Sequence, residues 1–157
     1  MRGDELIGPC VLLAKLDGNW HREFLENQLP ELLEDVPLDR RAALTFQHDG
    51  APAQFSARTR QFLNERFPGR WIGRGGPIAW PPRSPDLNPL DYCLWSLIKE
   101  FVYKDSLNSL QALEAEIVEA TATVTPEIVR GAMENLIRRC RLCIEVGGGH
   151  FENLQPL

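Results

Sequence analysis

Apolar and polar positions follow strand-like patterns in the first part of the chain and helix-like patterns later. The apolar run from Leu6 to Leu16 predicts a strand. Trp20 to Leu33 has apolar residues at helical spacing, and Pro30 is expected to kink or end that helix. Pro37 to Arg41 is predicted to be a connector, and Ala42 to Gln47 a short buried strand.

The next segment contains a capped helix, a short strand and a loop. Ser56 can cap a helix that runs to about Phe67, where a Pro-Gly pair stops it. Trp71 and Ile72 are expected to form a short strand. The residues from Gly73 to Pro85 are rich in Gly, Pro and Arg, which predicts a long irregular loop.

Three helices are predicted after that loop. Asn88 suits the N-cap and Pro89 the first turn of a helix that runs to about Val102. A second helix covers Leu110 to about Ala122, and a third is capped by Thr125. Strands that lead and helices that follow indicate an α/β fold with a helical C-terminal layer, and we expect residues 1–157 to form a single domain.

Composition indicates an ordinary globular protein. The chain has 157 residues, of which 43% are apolar and 25% charged. No apolar run has the roughly 20 residues that a membrane span needs, and the N-terminus lacks a signal-peptide pattern. Cys140 and Cys143 have the spacing of a metal or redox pair, but no second ligand pair follows, and the spacing also suits the buried face of a helix.

The charge is unevenly distributed. The net charge is −5, yet six arginines and one acid lie between Arg58 and Arg83, a local charge of +5. Such a stripe can contact nucleic-acid phosphates because salt screening keeps charge effects local. The candidate DNA contacts are Arg58, Arg74, Arg83 and Trp80, whose ring could stack on bases. The alternative is a solvated surface that needs arginines only for solubility.

Two acids are candidates for phosphodiester chemistry. Asp49 follows a predicted buried strand, at the sheet edge where open α/β sheets build their sites. Asp91, 41 intervening residues later, lies in the first turn of a predicted helix. Carboxylates on separate rigid elements could share Mg²⁺ or Mn²⁺. Alternatively, Asp49 belongs to an ordinary Asp-Gly turn, and Asp91 only interacts with the helix dipole.

The sequence around both acids resembles the mariner branch of transposases. The resemblance is carried by two blocks, residues 48–53 (His-Asp-Gly-Ala-Pro-Ala) and residues 80–92 (Trp-Pro-Pro-Arg-Ser-Pro-Asp-Leu-Asn-Pro-Leu-Asp-Tyr). It extends over roughly residues 6–154. Shorter matching stretches are Ile7 to Pro9, Phe24 to Asn27, Leu94-Trp95, Val102-Tyr103, Cys143 and Gly149 to Glu152.

The resemblance implies a ribonuclease-H-like fold and metal-dependent DNA cleavage and strand transfer. Asp49 would be the second and Asp91 the third acid of a catalytic triad that holds Mg²⁺ or Mn²⁺, with His48 and Gln54 as candidate neighbours of the metal ligands. The implied partner is DNA, with a homo-oligomer as a further candidate and without a membrane or a small-molecule cofactor. The family role also implies nuclear localisation.

The sequence departs from the family pattern in three respects. The strand that carries the first acid would precede Ile7, before which there are only six residues; Gln54 stands where the family commonly has His; and helix-turn-helix modules are missing. We therefore expect an N-terminally truncated fold, weak metal binding and little cleavage. The alternatives are an active nuclease completed by another chain, a non-catalytic host module for DNA or protein binding, and a gene-model fragment.

Overall fold

The chain forms helices and one small parallel sheet. A computed structural model describes residues 1–11, 16–104, 108–149 and 151, except the side chain of Ala53. The chain divides into two compact units, of which one is Cys10–Arg83 and the other combines Met1–Pro9 with Ser84–Leu157. The expectation of a single domain stays a prediction.

The Cys10–Arg83 unit contains the sheet. Its elements, in chain order, are α1 (Gly18–Glu23), a π-helical turn (Phe24–Gln28), α2 (Leu29–Leu32), α3 (Leu38–Ala43), β1 (Phe46–Gln47), a 3₁₀ turn (Pro52–Gln54), α4 (Ala57–Arg66), β2 (Trp71–Gly73) and β3 (Ile78–Ala79).

The three strands are parallel and adjacent in the order β1-β2-β3. The N–H of His48 donates to the carbonyl of Ile72 at 3.0 Å, which extends the β1–β2 pairing one residue beyond β1. Parallel strands bring their carboxyl ends to one edge, so the chain leaves β1 at the edge where binding sites form.

Aromatic and aliphatic side chains form the core of this unit. Leu25, Leu63 and Trp71 are fully buried, and Phe67 nearly so. Fully burying one such side chain stabilises the fold by roughly 1.5–3 kcal/mol. The indole N–H of Trp71 donates to Oδ1 of Asn64 at 2.9 Å, so its polar atom keeps a partner inside the core.

The predicted boundaries of α4 are confirmed by its caps. The hydroxyl of Ser56 accepts a hydrogen bond from the N–H of Thr59 at 2.9 Å, as an N-cap does. The helix ends at Arg66, and Gly69 then adopts a positive φ of 70° that favours glycine.

The second unit is helical in its described part. Its elements are a 3₁₀ turn (Pro85–Leu87), a π-helical turn (Leu90–Leu94), α5 (Trp95–Val102), α6 (Leu110–Ala122) and α7 (Pro126–Glu145).

The core of the second unit lies between α5 and α6. Leu94 of the π-helical turn and Ile98 and Val102 of α5 pack with Ala120 of α6, and Leu6 from the chain start packs against the cluster. The predicted caps of the last helix are confirmed, because Thr125 Oγ1 accepts from the N–H of Ile128 at 3.5 Å. None of the helices in the described ranges combines the length and apolar content that a membrane span requires.

A buried arginine joins α7 to the segment that precedes α5. Arg139 is 6% exposed, its Nε donates to the backbone carbonyl of Asp86, and its guanidinium lies 4.3 Å from the ring centroid of Tyr92. The hydroxyl of Tyr92 donates to the carbonyl of Ala132 at 2.7 Å. The fully buried ring of Phe151 lies 5.5 Å from the same guanidinium.

The structure corrects two predictions in the first part of the chain. The strand expected from Leu6 to Leu16 is absent from its described residues, 6–11 and 16, while residues 12–15 lie outside the described part. Pro9 has no N–H to donate to a strand neighbour, which favours an irregular path. The expected connector from Pro37 is helix α3, so the strand begins only at Phe46.

The irregular loop expected from Gly73 to Pro85 is also corrected, because it contains β3, which pairs with β2. The Gly-rich composition of this segment gives no strand-like pattern. Trp95 is 41% exposed. Its neighbours Leu94 and Ile98 are buried, so Trp95 points away from the face of α5 that packs on α6.

Candidate nucleic-acid and metal site

Asp49 lies just beyond the carboxyl end of β1 and is exposed. Its Oδ1 accepts a hydrogen bond from the N–H of Ala51 at 3.0 Å, which fixes the turn that follows. Within the described residues Oδ2 has no hydrogen-bond partner, so it remains available to a ligand. The turn interpretation and the ligand interpretation of Asp49 are therefore compatible.

Gln54 supports the same turn. It lies in the 3₁₀ turn Pro52–Gln54, and its Oε1 accepts from the N–H of Gly50 at 3.1 Å. Gly50 has a positive φ of 78°, and a Cβ added there would lie 2.9 Å from Cβ of Arg74. The Asp49-Gly50 turn is thus hydrogen-bonded to the side chain of Gln54, and Arg74 packs closely against Gly50.

Two histidines lie beneath Asp49. His48 is 7% exposed and His21 is 6% exposed, and their stacked rings lie 6.1 Å apart. Burial lowers the pKa of His48 to about 4, with a further lowering by His21 and an opposing effect of Asp49. Burial also lowers the pKa of His21, again opposed by Asp49. Both imidazoles are neutral near pH 7, so neither repels a cation at Asp49.

Both histidines therefore lie inside the Cys10–Arg83 unit and not on its surface. None of the three ring nitrogens His48 Nδ1, His48 Nε2 and His21 Nε2 has a hydrogen-bond partner among the described residues.

The arginine stripe is partly organised by an aromatic ring. The guanidinium carbons of Arg60 and Arg74 lie 4.9 and 4.2 Å from the centroid of the Phe55 ring. Arg74 is exposed, whereas Arg60 and Phe55 are half-buried. Neither arginine has an ion-pair partner within the part of the chain that the structure describes.

The other three predicted contact residues lie elsewhere on this unit. Arg58 is exposed on α4, and Arg83 is exposed with a positive φ of 57°. Trp80 is half-buried, and its backbone N–H donates to the backbone carbonyl of Gly73 at 3.4 Å. Arg58 and Arg83 are accessible to a polyanion, while Trp80 exposes only part of its ring.

Asp91 lies in the other unit, in the first turn of the helical segment after Pro89. The amide of Asn88 donates to Asp91 Oδ2 at 2.8 Å, and Asn88 Oδ1 accepts from the N–H of Leu90 at 3.2 Å. The predicted N-cap is therefore confirmed, and it also orients Asp91. Within the described residues Oδ1 of Asp91 has no hydrogen-bond partner. Its convergence with Asp49 stays a prediction.

Each carboxylate suits a hard divalent cation on its own. Each is held through one oxygen and presents the other without a protein partner, the arrangement that an oxygen-preferring Mg²⁺ or Mn²⁺ ion requires of a ligand. In the described ranges, no three His, Cys, Asp or Glu residues lie together as possible ligands of one metal ion. The pair Cys140 and Cys143 therefore has no third ligand of these types within those ranges. The donor chemistry of the two aspartates fits the cation.

Comparison with known proteins identifies the relatives of the chain. No protein-family model matches it. It is 24% identical over 146 residues to the transposable element Tcb1 transposase of Caenorhabditis briggsae, and this match covers 92% of the present chain. It is 25% identical over 134 residues to the Tc3 transposase of Caenorhabditis elegans, which covers 82% of this chain. The chain is a homologue of Tc1/mariner transposases.

The fold is that of a mariner transposase catalytic domain. The crystal structure of the Mos1 mariner transposase catalytic domain superposes with a TM-score of 0.76 and 21% identity, over 89% of this chain and 66% of that one. The predicted ribonuclease-H-like α/β fold class is thereby confirmed. Mos1 catalytic domains with raltegravir and Mn or Mg give TM-scores of 0.73 and 0.74, each at 22% identity. These comparisons cover 68% and 67% of the Mos1 chains.

This Tc1/mariner homologue spans 50% of the length of Tcb1 and 37% of the length of Tc3. Three residues of this site have no role in the sequence-based expectations, namely His21, which stacks on His48, and Phe55 and Arg60, which contact each other. An aromatic residue followed within five positions by two arginines is a weak signal for Phe55 and Arg60. Nothing in the sequence around His21 indicates its packing against His48.

Proposed function

We propose that this chain provides a transposase-type site for DNA phosphodiester chemistry, in which Asp49 and Asp91 together hold Mg²⁺ or Mn²⁺. The observation that supports it best is the position of Asp49, which lies just beyond the carboxyl end of the parallel strand β1 in a chain homologous to transposases. Asp91, oriented by Asn88, supplies the second carboxylate. Mos1 catalytic domains with Mn and with Mg support these two ions as the candidates.

The residues of the chain have distinct parts in this proposal. Asp49 and Asp91 would each direct one carboxylate oxygen to the ion, and the hydrogen bonds from Ala51 and Asn88 would hold the orientation of the two side chains. When bound, the cation would activate a water or a 3′-hydroxyl and stabilise the leaving oxygen. Exposed arginines on the Cys10–Arg83 unit would neutralise phosphates of the DNA strand.

Manganese binding tests the shared ion. We expect Asp49→Asn and Asp91→Asn each to weaken Mn²⁺ binding, measured by calorimetry, by at least about tenfold, because one charged ligand is lost. The double variant should lose little more than either single variant, since ligands of one ion are coupled. Asp86→Asn, which changes a carboxylate in the same sequence block, is the matched control and should bind like the wild-type chain.

Binding that is unchanged in Asp91→Asn would contradict the shared ion. Loss in Asp86→Asn equal to that in the other two variants would point to a nonspecific charge effect instead. A vanished transition in thermal unfolding would identify variants that no longer fold.

We also propose that the 157-residue chain by itself cuts DNA poorly. Two carboxylates leave most of the coordination shell to water, which weakens both affinity and geometry. A supercoiled plasmid should therefore remain largely intact with Mn²⁺ or Mg²⁺. Nicking that is robust in the wild-type chain and disappears in Asp49→Ala would overturn this part of the proposal. Because the proposed substrate is DNA, we propose that the chain acts in the nucleus.

A further inference from the structure

We propose that Arg60 and Arg74 form a clamp for one phosphate of the DNA backbone and that Phe55 positions both guanidinium groups. The three residues are called the arginine clamp below. The inference depends on the proposed DNA binding and deepens it. It assigns the phosphate contact to two of the six arginines between Arg58 and Arg83, and the positioning of those two arginines to the uncharged Phe55.

The geometry of the arginine clamp is defined by one ring. The guanidinium carbons of Arg60 and Arg74 lie 4.9 and 4.2 Å from the Phe55 centroid, within the range of cation–π attraction. A guanidinium that rests on a ring keeps its N–H edges unobstructed, and those edges match two oxygens of a phosphate. The ring also reduces the rotamer freedom that each long side chain would lose on binding.

The charges of the clamp are not neutralised by the protein. The ion pairs of the described residues use Arg2, Arg22 and Arg130, and none involves Arg60 or Arg74. Two cations held at one ring repel each other, and an anion between them would remove that repulsion. This arrangement favours a bound anion over a purely structural role.

One polar atom of Arg60 does not belong to the proposed contact. Its Nε atom is buried and has no hydrogen-bond partner among the described residues. A buried atom is closed to a phosphate that arrives from solution. The proposed phosphate contacts of Arg60 are therefore those of the terminal guanidinium nitrogens.

Two glycines allow the clamp to lie close to Asp49. A Cβ at Gly75, where φ is +75°, would lie 3.1 Å from Cδ of Arg60 and 3.2 Å from Cε2 of Phe55. A Cβ at Gly50 would lie 2.9 Å from Cβ of Arg74. Arg74 therefore packs directly beside the Asp49-Gly50 turn, and a phosphate in the clamp would belong to the strand that passes Asp49.

Salt-dependent DNA binding by the full chain tests the clamp. The probe is a 30-base-pair duplex of arbitrary sequence, titrated at several NaCl concentrations. We expect Arg60→Gln and Arg74→Gln each to weaken binding about five- to tenfold and to reduce the slope of log K against log salt by about 1. Arg40→Gln on α3 is the matched control with the same charge change on an exposed residue, and its slope should equal that of the wild type.

Phe55 distinguishes a built clamp from an ordinary basic surface. Phe55→Leu leaves the charge unchanged, so a solvated arginine stripe predicts no effect, whereas the clamp predicts about threefold to tenfold weaker binding. Phe55→Tyr retains the ring and should restore wild-type affinity. Circular dichroism and thermal unfolding of each variant verify that the fold persists.

The outcomes separate the clamp from the proposed function. Wild-type chain that does not bind the duplex would overturn DNA binding and the clamp with it. Wild-type binding that is equally strong in Arg60→Gln, Arg74→Gln and Phe55→Leu would overturn the clamp alone. Equal losses in Arg40→Gln and in the clamp variants would also overturn it, because the effect would then be general charge.

Discussion

The imidazole of His48 lies directly against the backbone of Gly73. A Cβ added at Gly73 would lie 2.2 Å from both Cδ2 and Nε2 of His48, and 3.0 Å from Cζ3 of Trp71. His48 and Trp71 are both buried, so neither ring has room to withdraw. We expect Gly73→Ala to lower the free energy of unfolding by roughly 1–3 kcal/mol, measured by urea denaturation, because the core is overpacked.

Gly131 offers a matched control for this substitution. It lies within α7, and an added Cβ would meet nothing within 4 Å. Gly131→Ala should stabilise the chain by about 0.5–1 kcal/mol, through helix propensity and a less flexible unfolded chain. Equal stability of the Gly73→Ala variant and the wild-type chain would contradict the close packing of His48 on β2.

The two buried histidines make stability depend on pH. The pKa of His48 is about 4 in the folded chain, because of burial and His21, against about 6.5 when unfolded. The unfolded chain therefore binds the proton first as the pH falls. The contribution of neutral His48 is complete above pH 6.5 and is lost progressively between pH 6.5 and about 4. We expect a loss of about 3 kcal/mol over that interval, measured by urea unfolding in EDTA.

His48→Leu tests the origin of this pH dependence. The variant has no titrating group at position 48, so its stability should vary less between pH 6.5 and 4. Some dependence should persist from His21, whose pKa is also lowered by burial. A curve for His48→Leu that is parallel to that of the wild-type chain over this interval would assign the effect to other groups.

Local signals in the sequence predicted most of the helices. Ser56, Ser109 and Thr125 are N-caps whose side chains accept a backbone N–H, and the helices that follow two of them were predicted from capping and apolar spacing. These signals act within one turn, so neighbouring residues suffice to recognise them. The strand after Leu44 was placed correctly at Phe46 and Gln47, although its expected start falls within α3.

Contacts between distant segments could not be predicted from the sequence. β3 has only two residues, and its pairing with β2 depends on hydrogen bonds across a Gly-rich turn that has no strand-like pattern. The packing of His21 on His48 joins residues 27 positions apart, and no local pattern encodes it. The same limit applies to the candidate site. The sequence context of Asp49 and Asp91 predicts their role, whereas the contact of Phe55 with Arg60 depends on packing that no local pattern encodes.

Arg139 is expected to stabilise the helical unit. Its buried guanidinium stacks on the ring of Tyr92, and its Nε donates to the backbone carbonyl of Asp86. Both partners lie on the segment that carries Asp91. Burial raises the pKa of the Tyr92 hydroxyl to about 12, opposed by Arg139, so this group remains a neutral donor to Ala132 at physiological pH. We expect Arg139→Met to lower the free energy of unfolding by roughly 1–3 kcal/mol, because the Asp86 carbonyl loses its donor.

Arg138 serves as the control for Arg139, since it is the exposed neighbour on α7. Arg138→Met should change the free energy of unfolding by less than about 0.5 kcal/mol. Both variants can be compared by thermal unfolding at one ionic strength. Similar melting temperatures for the two would show that the arginine stack contributes little to the unit.

Asn88 combines a structural and a functional role that one substitution separates. Its Oδ1 caps the helix by accepting from Leu90, and its Nδ2 holds Oδ2 of Asp91. Asn88→Ala should therefore lower the free energy of unfolding by about 1 kcal/mol, the usual effect of losing an N-cap. It should also weaken Mn²⁺ binding severalfold, because the Asp91 carboxylate loses the bond that orients it.

Asn88→Ser isolates the second effect. Serine is a comparable N-cap, so the free energy of unfolding should return towards that of the wild-type chain. The shorter serine side chain does not replace the Nδ2 donor that Asn88 provides to Asp91. Mn²⁺ binding of Asn88→Ser, measured by calorimetry at a temperature where the chain is folded, should remain as weak as in Asn88→Ala. Wild-type Mn²⁺ affinity in both variants would mean that Asn88 only caps the helix, and that the orientation of Asp91 is set by other contacts.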